Sequence, residues 1–229
     1  MPDGGFLNIL KPPQMTSHDV VDFVRKRMGF AKVGHLGTLD PPAAGVLPLA
    51  LGQATKLIQH LPPARKAYRA EVLFGLVTDT LDTAGQVLER RPVGSLDALP
   101  GLCQEFRGEI MQVPPRVSAL KVDGRRSYAR ARQGEEFELV ARAATYLEVT
   151  LLGVESPRAW LHVDCGPGTY IRALARDLGD RLGCGAALSF LVRVRSGPFF
   201  LEDAWTLEDV LAGRARVLPM TFAQEAAPA

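Results

Sequence analysis

Cysteine is scarce in this chain of 229 residues. Cys103, Cys165 and Cys184 are too few and too scattered for a disulfide framework or a four-thiolate zinc site, so a reducing cytoplasm is the expected setting. Histidine is equally sparse. His18, His35, His60 and His162 lie far apart with no cysteine at ligand spacing, which argues against a metal. Long apolar runs are missing too: Val46 to Leu51 already contains Pro48 and ends at Gly52, well short of the roughly 18 residues of a membrane span. Met1 to Gly5 is acidic and glycine-rich where a signal peptide needs a basic start and an apolar stretch. No GxxxxGK[ST] loop, GxSxG elbow or HExxH helix is present. Gly183-Cys184-Gly185 follows a helical pattern rather than a strand, the reverse of a dinucleotide fingerprint. Net charge is nearly absent: 27 basic against 25 acidic residues leave +2, a total that neither requires nor forbids a nucleic-acid partner.

What is present is a globular composition, 47% hydrophobic and 23% charged. At about 150 residues per domain the length fits one large domain or one and a half. Phe6 to Leu10 reads as an opening strand stopped by Pro12 and Pro13. A helix follows, with Thr16 or Ser17 as cap, Asp19 in the first turn, Val20, Val24 and Met28 on one face and Gly29 as terminator. Tyr68 to Leu76 alternates as a half-buried strand, a turn-rich segment over Thr78 to Gly85 leads to a hairpin at Gln86 to Leu88, and residues 96–106 are weakly helical. Thr145 to Val154 and Trp160 to Cys165 read as two strands joined through Ser156 and Pro157, and Ile171 to Leu182 as a helix ending at Gly183. Strands and helices mix without a βαβ beat, so the expected class is α+β.

Charge is unevenly distributed. Arg107, Arg116, Lys121, Arg125, Arg126, Arg130 and Arg132 face only Glu109 and Asp123 within their segment, so a near-neutral chain can present one basic face. The remaining conspicuous feature is Gly34-His35-Leu36-Gly37-Thr38-Leu39-Asp40-Pro41. The proline pushes Asp40 out of helical geometry, and glycines at 34, 37 and 45 open conformations closed to other residues. The result is a carboxylate on a shaped loop, which on residue type alone serves either chemistry or a turn.

Continued through Gly45, Gly52 and Lys56, this run resembles the catalytic segment of the TruB-type tRNA pseudouridine synthases. Further matches follow in order: Lys11-Pro12 through Thr16-Ser17-His18-Asp19, then Lys66-Ala67-Tyr68, Thr78-Asp79-Thr80-Leu81-Asp82-Thr83-Ala84-Gly85, and Pro114-Pro115 with Ser118-Ala119-Leu120-Lys121. After these come Gly168-Thr169-Tyr170-Ile171-Arg172 through Gly179, and Gly183-Cys184-Gly185-Ala186 through Leu191.

The resemblance implies a pseudouridine synthase fold, a mixed, mainly antiparallel sheet with flanking helices, occupying residues 1–200. It implies isomerisation of uridine 55 in the T loop of tRNA without cofactor or metal, by a cytoplasmic monomer that needs no protein partner and no membrane. Asp40 falls on the nucleophile, and addition to C6, attack at C1′ and removal of a ribose proton all remain open to it. Tyr68 falls on the tyrosine that stacks on the flipped base, Arg172 on the arginine that pairs with the aspartate, and Tyr170 and Leu191 on pocket residues. His35 falls on the histidine that supports the opened loop. Lys11, Arg116, Lys121, Arg125 and Arg126 are candidates for RNA backbone contact, with Lys11 and Lys121 either structural or phosphate-facing rather than chemical. Tyr170 and Arg172 would point about 200° apart inside one helix, so a strand-to-helix junction must fall between them, with Thr169 suited to it.

Departures from the pattern are Gln14 for a usual glycine, Val117 for a frequent aromatic, Gly166-Pro167 for a polar pair, and Val192 interrupting Leu-Arg-Arg. Residues 201–229 are too few for the small PUA-like RNA-binding domain with which bacterial relatives continue. Two rival readings stand beside the enzyme: a non-catalytic RNA-binding or tRNA-folding protein on the same scaffold, and a synthase acting on another RNA or within a guide-RNA particle.

Overall fold

The computed structural model describes residues 4–116, 121–122, 125–126 and 139–222. In chain order its regular elements are β1 (Gly4–Lys11), α1 (Ser17–Met28), β2 (Val33–His35), β3 (Ala44–Gly52), a 3₁₀ turn (Gln53–His60), β4 (Lys66–Phe74), β5 (Leu76–Thr78), β6 (Val87–Arg90), α2 (Leu99–Glu105), β7 (Gly108–Gln112), β8 (Lys121–Val122), β9 (Arg125–Arg126), β10 (Arg142–Glu155), β11 (Arg158–Cys165), α3 (Ile171–Arg181), β12 (Ala186–Ser196), β13 (Phe199–Phe200) and α4 (Leu207–Leu211). The class is α+β with mainly antiparallel pairing, as the sequence implied. The chain forms two compact units, Met1–Tyr68 with Leu191–Ala229, and Arg69–Phe190.

The first unit is built around β3. Its residues Ala44 to Leu51 are buried without alternation, and β1 pairs along one edge and β2 along the other. A strand covered on both faces carries no period-2 signal, which is why the sequence left this stretch unassigned. The C-terminal half of β12 joins it in parallel, Val192 opposite Ala44 and Arg193 opposite Gly45. Gly45 is required there. At φ +112 a Cβ would stand 2.2 Å from the Arg193 carbonyl oxygen. Gly37 also has a positive φ, whereas Gly34 does not and is small only to clear Ile58. Phe6, Val46, Ala50, Ala54 and Phe199 form the core, and Leu201, Leu218 and Phe222 pack on it. Leu218 also exchanges backbone hydrogen bonds with Phe6, so the last described stretch closes this unit.

α1 starts where the cap chemistry predicts. Thr16 accepts the Asp19 N–H and Asp19 returns the bond to the Thr16 N–H, a reciprocal capping box, and Gly29 ends the helix in the left-handed conformation. Ser17, the alternative cap, has another task, described below. Ahead of the helix, Gln14 adopts φ +68, the left-handed region that a glycine reaches without strain. We expect Gln14→Gly to raise stability by about 0.5–1 kcal/mol in urea unfolding, because relief of that strain outweighs the entropy cost of glycine.

In the second unit β4, β11, β10 and β7 lie side by side, with β10 antiparallel to both β11 and β7. Ala70, Val72 and Phe74 of β4 are buried and Arg69 is exposed, the alternation the sequence showed. β5 pairs with β6 as the expected hairpin. α3 buries Ile171, Leu174 and Leu178, the residues set at helical spacing. Among the described residues no helix is long and apolar enough to cross a membrane.

Candidate active site

Asp40 is half-buried, and the backbone on both sides of it is hydrogen-bonded within the first unit. On one side the Leu39 N–H donates to Ser17 Oγ at 2.9 Å while that hydroxyl donates back to the Leu39 carbonyl at 3.1 Å. On the other side the Pro41 carbonyl accepts from the Gln14 N–H at 2.7 Å and from Lys11 Nζ at 3.3 Å. The Ala43 N–H closes a turn on the Asp40 carbonyl at 3.1 Å. Two and three residues upstream, the Thr38 and Gly37 carbonyls accept from Arg193 Nη1 and Nη2 at 3.2 and 3.1 Å, and Arg193 Nε donates to Val46 at 2.7 Å. The carboxylate therefore sits on a loop whose backbone is held from β1, α1 and β12.

Arg193 is fully buried, and burial lowers its pKa, an effect opposed by the hydrogen-bonded Tyr68 phenol. One guanidinium thus holds both the Asp40 loop and the tyrosine of the Lys66-Ala67-Tyr68 motif. Lys11 corrects an expectation. It was a candidate for RNA phosphate, but it is fully buried and its ammonium donates to the carbonyls of Pro12, Met15 and Pro41 at 2.8, 2.6 and 3.3 Å. An ammonium has three N–H groups, and these three carbonyls take them all. Burial pushes its pKa down to about 8, with the Asp40 charge pulling the other way.

The linkage sign is definite. An unfolded Lys11 holds its proton up to about 10.5 while the folded one releases it near 8, so stability rises with pH between those values. Below pH 8 the full cost of burying the charge remains. We expect the stability of the chain relative to Lys11→Met to increase from pH 8 to 10.5, measured by denaturant unfolding at several pH values. A constant difference across that range would contradict it.

His35 stands on β2 opposite Leu49 of β3, and Leu191 is half-buried on β12 beside the Val192–Ala44 pair. Arg116 is exposed. Lys121, Arg125 and Arg126 lie on the β8–β9 ribbon, and their side chains, with residues 117–120, 123–124 and 127–138, fall outside the described residues.

In the second unit the Thr78–Gly85 motif forms the seat of Arg172. Asp82 Oδ1 accepts from Thr80 Oγ at 2.7 Å and from the Ala84 N–H at 3.1 Å, folding the loop about its own carboxylate. Its Oδ2 lies 3.6 Å from Arg172 Nη1, which donates to the Thr80 carbonyl at 2.8 Å. Arg172 is buried at 7% exposure, so its guanidinium is aimed by these partners rather than by solvent. Tyr170 is the helix cap residue itself, extended at φ −109 and ψ 112, so the junction demanded by the 200° argument lies at Tyr170 and not at Thr169.

Sequence reasoning missed Ser17, Asp82 and Arg193 as supports of the site. Asp82 lay inside a quoted motif, and an aspartate in so turn-rich a segment was a readable Asx-turn signal, its carboxylate accepting the Ala84 N–H two residues on. Arg193 was obscured because Val192 read only as a departure.

The fold is that of pseudouridylate synthases. It superposes on a chain of the "Cbf5-Nop10-Gar1 Complex" with a TM-score of 0.75 and 32% identity, covering 98% of this chain and 62% of that one. A "TruB family pseudouridylate synthase (N terminal domain)" family model matches residues 25–171, and a "tRNA pseudouridylate synthase B C-terminal domain" matches 172–218. The chain belongs to the TruB family of pseudouridylate synthases. It is 48% identical over 219 residues to "tRNA pseudouridine synthase B" of Caldanaerobacter subterraneus, covering 94% of this chain and 77% of that protein. To the protein of the same name from Symbiobacterium thermophilum it is 51% identical over 221 residues, with 94% and 74% covered.

Proposed function

We propose that the protein isomerises uridine to pseudouridine in tRNA, at position 55 of the T loop, acting as a cytoplasmic monomer without a guide RNA. Identity near 50% to proteins named for tRNA supports the substrate. The observation that carries the chemistry is the fixed Asp40 loop, with both neighbours of the aspartate hydrogen-bonded to the β1–α1 segment. In the reaction the N1–C1′ bond breaks, the uracil turns while held, C5 bonds to C1′, the C5 proton leaves to solvent and N1 takes up a proton in its place. Asp40 is the nucleophile, Arg172 pairs with it, Tyr68 stacks on the flipped uracil, Tyr170 and Leu191 line the pocket, and His35 supports the opened loop.

The guide-RNA reading is favoured by the structural likeness to a chain of an "H/ACA RNP bound to a substrate RNA", at a TM-score of 0.72 and 29% identity. Incubating purified protein with a tRNA transcript carrying 5-tritiated uridine separates the readings. We expect tritium release by the protein alone. Release only after guide RNA is added supports the guided synthase, and binding with no release supports the non-catalytic reading.

A further inference from the structure

The cap of α3 lacks what helix caps ordinarily use. Tyr170 is the N-cap residue, and its side chain makes no capping hydrogen bond. The junction is held instead from another strand. Gln112, the last residue of β7 and only 2% exposed, accepts the Tyr170 N–H on Oε1 at 3.0 Å and donates from Nε2 to the Tyr170 carbonyl at 3.2 Å. A primary amide here pairs with the N–H and C=O of one residue, as a neighbouring strand would. The same Nε2 donates to the phenol oxygen of Tyr146 at 2.6 Å, and Tyr146 is 1% exposed with its ring edge-on to Phe106. Burial raises the Tyr146 pKa, so this phenol stays neutral. The amide cannot rotate without breaking two or three bonds, and its orientation is set by the core.

We propose that Gln112 is a positioning residue for pseudouridine formation, holding Tyr170 in its extended conformation and thereby setting the start of the helix that carries Arg172. This rests on the pocket roles of Tyr170 and Arg172 given above. Tyr170 and Arg172 are two residues apart across a change from extended backbone to helix, and a shift of that junction by one residue would swing them about 100° relative to each other. A tyrosine or arginine displaced by about 1 Å costs on the order of 100-fold in rate. Gln112 touches neither substrate nor the reacting atoms, so its effect falls on kcat more than on tRNA affinity.

The test uses the full chain, single-turnover kinetics and two variants. Gln112→Leu keeps the volume and removes all three bonds. Gln112→Glu keeps the acceptor for the Tyr170 N–H, but its ionised form loses the donors. Buried as it is, that carboxyl should titrate well above the ordinary range, and its protonated form restores a donor to the Tyr170 carbonyl. We expect Gln112→Leu to lose at least about 10-fold in rate with tRNA affinity changed less than about 3-fold. Gln112→Glu should recover activity as pH falls through the range of its own carboxyl, a dependence the parent lacks. Thermal unfolding at each pH establishes that the variants are folded under assay conditions. Folded variants with parental rates and a parental pH profile overturn the proposal. A parent that forms no pseudouridine overturns instead the functional reading on which it rests.

Discussion

Asp40→Asn is expected to abolish pseudouridine formation, by on the order of 10⁴-fold or more, while leaving stability and tRNA binding near parental values. Asparagine has the size of aspartate, and the loop is shaped by hydrogen bonds to backbone groups of Gly37, Thr38, Leu39 and Pro41. The loop should therefore keep its form. What is lost is the anionic oxygen, and an amide can neither add to a base or sugar carbon nor take a ribose proton at neutral pH. One consequence appears at Lys11, whose proton is held partly by the Asp40 charge. In Asp40→Asn its pKa should move further down. Single-turnover assay, filter binding and urea unfolding on one preparation check the three parts. Activity within 10-fold of the parent contradicts the nucleophile assignment.

Arg193→Met should produce the largest loss of stability, about 3–5 kcal/mol, measured by urea unfolding. The substitution keeps an apolar stem but removes the shared donor of the phenol of Tyr68, the buried carbonyl of Val46 and the partly buried carbonyls of Gly37 and Thr38. Arg193→Lys keeps the charge but presents one donor point instead of a planar fork, so it should recover only part of the loss. Any folded fraction should also be slow, since the same guanidinium holds the loop of Asp40 and the ring of Tyr68. A loss under about 1 kcal/mol for Arg193→Met contradicts this account.

Elements with one buried face were legible in the sequence: α1 through its valine spacing and capping residues, β4 through alternation, α3 through Ile171, Leu174 and Leu178. Elements buried on both sides were not. β3 shows an unbroken apolar run around Pro48, and period gives no direction when there is no exposed face. Among the site residues, Asp40 stood out through glycines and proline, because loop shape is written in the residues that permit it. The supports were hidden for a different reason. Lys11 looked like a phosphate contact because charge is visible in sequence, whereas the convergence of the Pro12, Met15 and Pro41 carbonyls on one point is a property of the folded chain. Gln112 and Tyr170 are 58 residues apart, and nothing local in either segment announces the pairing. Given the shared pocket that the resemblance implied, the helical angle did require a junction near Tyr170, since two positions of one helix point about 200° apart.

The central claim is that this chain by itself converts a single T-loop uridine. Mapping pseudouridine at nucleotide resolution in an unmodified tRNA transcript, after incubation with purified protein and no other macromolecule, tests it most directly. The account predicts one pseudouridine per transcript, at position 55, absent with the Asp40→Asn variant. No pseudouridine, or pseudouridine elsewhere in the tRNA, would contradict it.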